Sequence, residues 1–141
     1  MRIYNKKAGF NYKLEDKFEA GISLTGGEAK SIREKHADLS NSVCRIIGRE
    51  VYLINANIPV AGAKYEPTRT RKLLLHKDEI LAIATRAKQR KLTLVPVALY
   101  NQGRIFKLEI ALGKAKKKFE KRESIKKKDI ERELETEFRA R

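Results

Sequence analysis

Apolar residues alternate with polar or small ones along Phe18-Glu-Ala-Gly-Ile-Ser-Leu24, the period of two of a strand with one buried face. Val43-Cys-Arg-Ile-Ile and Val51-Tyr-Leu-Ile flank Gly48-Arg-Glu50 and predict a hairpin. Apolar runs over 92–100 and 105–112 flank Asn101-Gln-Gly103 and predict a second. Pro96 has no N–H to give to a ladder, so its strand is expected either at a sheet edge or with a bulge. Two segments change period. Thr25-Gly-Gly-Glu28 has the form of a capping box, and the helix it opens carries Ala29 and Ile32, with Lys30 and Arg33 toward its exposed side. Ile80, Ile83, Ala84 and Ala87 recur at helical spacing over 77–91, with Arg86, Lys88 and Arg90 on the other face. Core packing accounts for both apolar stripes. Five or more strands with helices between them predict a mainly β fold, a small closed or nearly closed antiparallel barrel.

The pattern fails after Leu112. Residues 112–128 hold nine Lys/Arg against two Glu, a net +7, with only three large apolar side chains. Ordering a residue costs about 1–2 kcal/mol of backbone entropy, which so few apolar groups do not offset. Further on, Ile130, Leu134 and Phe138 recur every fourth residue, and Glu123–Lys127, Glu135–Arg139 and Glu137–Arg141 are favourable i,i+4 pairs. Such pairs are worth only about 0.2–0.5 kcal/mol each, so the segment is expected to be a latent helix that forms on a partner. The chain therefore divides into one domain, 1–113, and a basic tail, 114–141, disordered when free.

Charge narrows the partners. Of the formal +15, the stretch 112–128 carries +7 and 129–141 carries −2, which leaves +10 on residues 1–111. A body that is also basic favours a shared anionic partner, and neutralised phosphates release condensed counterions. For the tail alone, a solvated solubilising run stands as an equal alternative. No apolar run approaches the ~20 residues of a membrane-spanning helix, and the start lacks a signal-peptide core. With Cys44 as the single cysteine, inside an apolar run, the expectation is a buried thiol in a reducing cytoplasm. His36, His76 and Cys44 are dispersed without metal-ligand spacing, and no phosphate-loop motif occurs. Glu19 facing Glu28 or Glu109 is the one acid–base pairing on offer, and a surface glutamate is the simpler reading. No enzyme, metal or cofactor is expected.

The densest feature of the body is Glu66-Pro-Thr-Arg-Thr-Arg-Lys-Leu-Leu-Leu-His76. In an extended chain Arg69 and Arg71 project to one side, where guanidinium forks suit phosphate, while Thr68 and Thr70 project to the other. A charged loop leading into a buried leucine triplet fits the same residues. Together with Asn5-Lys-Lys-Ala8, Phe18-Glu-Ala-Gly21, Gly27-Glu-Ala-Lys-Ser-Ile-Arg33 and Phe119-Glu-Lys-Arg122, this block resembles the SmpB (SsrA-binding) family, which binds tmRNA in bacterial trans-translation. The likeness covers nearly the whole chain.

The resemblance implies an OB-like antiparallel β-barrel with two or three appended helices. It also implies a monomer that binds the tRNA-like domain of tmRNA and delivers it to stalled ribosomes. On the RNA side it points to Glu19 and Leu74, with His76 beside them, and the candidate RNA-binding set adds Asn5, Lys6, Lys7, Lys30, Arg33, Arg69, Arg71 and Lys72. Glu19 would accept from base or ribose donors, and Leu74 would pack on an unstacked base. On the ribosome side it points to Lys116, Lys117, Lys118, Phe119, Glu120, Lys121 and Arg122, with Ile130, Leu134 and Phe138 seating a helix near the decoding region and the mRNA path. The chain departs from the family pattern in a short loop after Ile58, in Gly27 where a larger residue is common, and in Ala115 where glycine is favoured. Phe119 and Glu120 replace the usual His or Tyr and Asp. A general RNA-binding or ribosomal barrel is the runner-up, and a small basic nuclease a distant third.

Overall fold

The computed structural model describes residues 2–60, 66–117 and 121–122. Seven antiparallel strands form one sheet: β1 Arg2–Tyr4, β2 Tyr12–Ile22, β3 Val43–Ile47, β4 Glu50–Ile54, β5 Arg71–Leu74, β6 Thr93–Gln102 and β7 Ile105–Ala115. Their order is β1-β6-β7-β2-β5-β4-β3, and the sheet curls until β3 lies alongside β6. That is the nearly closed OB-like barrel expected. Among the described residues three helical elements are appended: α1 Lys6–Asn11, α2 Gly26–Arg33 and α3 Lys77–Arg90.

Both hairpins form as the patterns predict, each with its glycine in the left-handed region, Gly48 at φ +66° and Gly103 at φ +60°. Alternation over 18–24 is also kept, with Ala20 and Ile22 buried and Glu19 and Ser23 exposed. The strand begins earlier than the pattern shows, at Tyr12. Pro96 resolves to the second of its alternatives. β6 is flanked by β1 and β7, so it is no edge, and the register shifts between Pro96 and Ala98. Asn5 fills the distortion from β1's side, donating from its backbone N–H to the Val97 carbonyl at 2.7 Å and from Nδ2 to the Pro96 carbonyl at 2.8 Å.

The core is the barrel interior, where Val51, Leu53, Leu73, Leu108, Ile110 and Leu112 are fully enclosed. α2 contributes Ile32 and α3 contributes Ile80 and Ile83 to the same cluster. Fully burying each such side chain is worth about 1.5–3 kcal/mol. The Thr25 capping box is complete: Glu28 N–H donates to Thr25 Oγ1 at 3.3 Å, and Thr25 N–H donates to Glu28 Oε1 at 2.9 Å. Cys44 is buried, and burial pushes its thiol pKa far up, which leaves it unreactive.

Candidate nucleic-acid interface

One rank of paired residues crosses five strands on the outer face of the sheet. Arg2 pairs with Tyr100, Tyr100 with Lys107, Lys107 with Gly21, and Gly21 with Leu74. Paired residues in a ladder point to the same side, so these side chains form a row. Gly21 interrupts it. With no side chain between Lys107 and Leu74, a hollow of about 250 Å³ opens, lined by Glu19, Gly21, Leu74, Leu75, His76, Glu79 and Lys107. A Cβ on Gly21 would lie 3.2 Å from Leu74 Cβ, so the leucine stem closes over the glycine backbone.

Leu74 is the ridge of this face. It is 55% exposed while its neighbour Leu73 is wholly buried, because β5 alternates inward and outward. On the far side of the ridge a second hollow of about 320 Å³ is lined by Leu24, Ala29, Arg33, Leu74, Arg104 and Ile105, among others. Arg33 stacks over the Phe106 ring with its Cζ 5.4 Å from the centroid, and Ile105 is exposed. An exposed apolar ridge between cationic margins suits unstacked bases held by their phosphates.

A polar network borders the first hollow. The Tyr100 hydroxyl donates to Glu19 Oε2, and Lys107 Nζ stands 3.6 Å from Glu19 Oε1. Arg2 packs its guanidinium 4.2 Å from the centre of the Tyr100 ring and donates to Glu109 at 3.0 Å; Lys17 sits 3.5 Å from the same carboxylate. Burial, reinforced by the Glu19 carboxylate, pushes the Tyr100 pKa up to about 12. Glu19 and Glu109 face each other across β2 and β7, the juxtaposition foreseen for an acid–base pair. Each is matched instead by its own cations.

Of the residues expected at the RNA surface, Glu19, Leu74 and His76 meet at the first hollow, and Arg33 joins Leu74 at the second. Lys30, Lys6 and Lys7 are exposed; Lys7 lies apart, lining a small hollow with Asn41 and bonding Asn41 Oδ1 at 3.3 Å. Lys72 is exposed and 3.7 Å from Glu50. Two expectations need correction. Arg71 offers no phosphate contact, because its guanidinium is completely buried: Nε donates to Glu28 at 2.6 Å, Nη1 to the Ala56 carbonyl at 2.7 Å and Nη2 to the Pro67 carbonyl at 2.9 Å. Asn5 is also enclosed, its side chain spent on Pro96 and on capping α1. Arg69 does share a side with Arg71, but that side faces Glu28, whose carboxylate takes both guanidinium groups.

Arg104, Ile105 and Lys107 were not anticipated. The signal was present in the second hairpin, whose alternation puts Lys107 outward beside the Phe18-Glu-Ala-Gly21 block. In the tail, Lys117 and Arg122 are exposed, Lys116 N–H donates to the Asn11 carbonyl at 2.9 Å, and Lys121 Nζ lies 6.0 Å from the Phe10 ring centre. Lys118, Phe119, Glu120, Ile130, Leu134 and Phe138 lie outside the described residues. Among the described residues no cluster of His, Cys, Asp or Glu is suited to a metal ion, and no helix is long and apolar enough to cross a membrane.

The family model for the SmpB protein matches residues 2–140. The chain belongs to the SmpB family. It is 46% identical over 141 residues to the SsrA-binding protein of Sulfurihydrogenibium sp. strain YO3AOP1, covering 97% of this chain and 93% of that one. It is 51% identical over 135 residues to the SsrA-binding protein of Mesoplasma florum, covering 91% and 89%. A solved structure described as "tmRNA-SmpB: a journey to the center of the bacterial ribosome" contains a chain of the same fold. That chain superimposes with a TM-score of 0.70 at 36% identity, over 83% of this chain and 85% of its own length. The SmpB likeness thus spans both the barrel and the sequence beyond it.

Proposed function

We propose that this protein binds the tRNA-like domain of tmRNA and brings it to stalled ribosomes for trans-translation, acting in the cytoplasm as a monomer and without catalysis of its own. The observation that carries the reading is the exposed Leu74 ridge between two hollows, in a basic chain whose relatives are SsrA-binding proteins. A leucine more than half exposed leaves apolar surface in water, and an unstacked base gives that surface a partner. Glu19, Lys107 and His76 serve one flank, Arg33 and Arg104 the other. Lys30, Lys72 and Arg69 add positive potential that falls off over a Debye length of about 8–10 Å.

The basic tail takes the second role, at the decoding region and the mRNA path. Lys116–Lys118, Lys121 and Arg122 contact ribosomal RNA phosphates there, and Ile130, Leu134 and Phe138 seat one helical face. β7 runs to Ala115, so a truncation that spares the barrel ends after Lys117. This variant is expected to keep its affinity for tRNA-like-domain RNA within about threefold, since only a few peripheral phosphate contacts are lost. Peptide tagging on stalled ribosomes is expected to disappear. Loss of most RNA affinity in the truncated protein would refute the division of labour.

A further inference from the structure

We infer that, in the protein free of RNA, the far end of the tail folds as a helix over about 124–138 and seats Ile130, Leu134 and Phe138 in a groove on its own barrel. The groove lies between the β3–β4 turn and α3 and has a volume of about 380 Å³. Ile46, Ile80, Leu81 and Ala84 give it an apolar lining, while Arg49 from the turn and Lys77 from the helix add a cation on each wall. It shares no residue with the two hollows beside Leu74. Core packing accounts for only part of it. Ile80 is buried, but Leu81 is 67% exposed, and Ile47, next to the groove in sequence, is 55% exposed. Apolar surface gathered beside a groove in this way marks a docking place.

Charge and reach select the occupant. Residues 129–141 carry −2 in a chain of +15, so RNA phosphates suit them poorly and a cationic groove suits them well. On a helix of 3.6 residues per turn, the stripe Ile130-Leu134-Phe138 has Glu133 and Glu137 along one side and Glu131 and Glu135 along the other, with Arg132 and Arg139 at the back. An apolar seam edged by glutamates thus meets an apolar groove edged by Arg49 and Lys77. Of the two acids on α3, Glu79 lines the hollow beside His76, and the exposed Asp78 is the single opposing charge on that helix. The root of the tail is close by. Ala115 pairs with Tyr12, and a little further along β2 Glu15 and Asp16 accept from Arg90 and Arg86 of α3 at 3.4 and 3.0 Å. From Arg90 to Ala84 is about 9 Å along the helix, while the chain from Arg122 to Ile130 spans up to about 28 Å. The apolar face that serves the ribosome is thereby covered beforehand, in place of the disordered free tail that composition leads one to expect.

The test uses the full chain without RNA. Cys44 is buried, so Leu81→Cys combined with Leu134→Cys supplies the one reactive thiol pair, and the exposed Leu81 is replaceable without opening the core. A control pairs Leu134→Cys with Ile105→Cys, which is 62% exposed on the Leu74 face. Under mild oxidation the first pair should close a disulfide within the chain about tenfold faster than the control, because docking raises the effective concentration of the two thiols. Amide exchange over 124–138 should be slow in the unmodified chain and become fast in Leu81→Glu, with the melting midpoint nearly unchanged. Equal closure rates for the two pairs, or fast exchange over 124–138 in the unmodified chain, would overturn the proposal. Slow exchange that survives Leu81→Glu would also overturn it, since the helix would then be packed elsewhere. Disulfides between chains instead of within them would give the groove to a second copy and dismiss the tail as its occupant.

Discussion

Leu73 and Leu74 are adjacent in sequence and opposite in environment, one wholly buried and the other 55% exposed. Leu73→Ala is expected to cost about 2–5 kcal/mol of stability, the range for a buried leucine, while Leu74→Ala should leave the thermal midpoint nearly unchanged and weaken RNA binding. Thermal melting of the two variants side by side separates the roles. Composition alone made the triplet a candidate for burial; only the strand's alternation tells the middle leucine from the first. Arg71 shows the opposite limit of the sequence. Alternation correctly put Arg69 and Arg71 on one side, but not what that side faces, because the answer is a glutamate 43 residues away. Capping of α2 by Glu28 was readable, since Thr25 and Glu28 are local. Its second task as the buried anion between two arginines was not. Glu28→Ala strands the enclosed Arg71 charge and is expected to cost about 3–5 kcal/mol in denaturant unfolding. Arg71→Lys would not rescue the site, because a point charge cannot serve Glu28, Ala56 and Pro67 together.

Elements with strong periodicity or turn chemistry were legible: both hairpins, α2 with its cap, and α3, found over 77–90 where spacing put it over 77–91. α1 and β1 were not, for a physical reason. α1 has six residues, of which only Ala8 is buried, and β1 has three, too few to express a period. They are fixed by tertiary bonds at the Pro96 bulge, which no local pattern encodes. Gly27 is explained at this scale too. A Cβ there would come within 2.8 Å of Val60 Cγ1, so the Val60 side chain packs directly on the start of α2. Gly103 has open space around it but a positive φ, so Gly103→Ala tests backbone strain alone. About 1 kcal/mol of destabilisation is expected, read as a lower denaturant midpoint with unchanged m-value.

Across the whole molecule the excess charge is spread over barrel and tail, which makes binding depend steeply on salt. Arg33→Ala and Arg104→Ala should each lower RNA affinity and reduce the slope of log affinity against log salt by about 0.7–0.9, one phosphate's worth. Leu74→Ala should lower affinity at every salt concentration with the slope unchanged. Titrations at four or five ionic strengths distinguish the two behaviours. The barrel's topology has a consequence of its own for such a two-ended molecule. β2 meets Leu74 through Gly21 at one end, and at the other its first residue, Tyr12, pairs with Ala115, where the chain leaves the sheet. Nine residues of strand, about 30 Å at most, separate those ends. In the reading proposed above, β2 is thus a spacer bar between the Leu74 face and the root of the tail. The gap between them is then set by backbone, by the count of strand residues and the register shift between Leu14 and Lys17, rather than by the reach of any side chain.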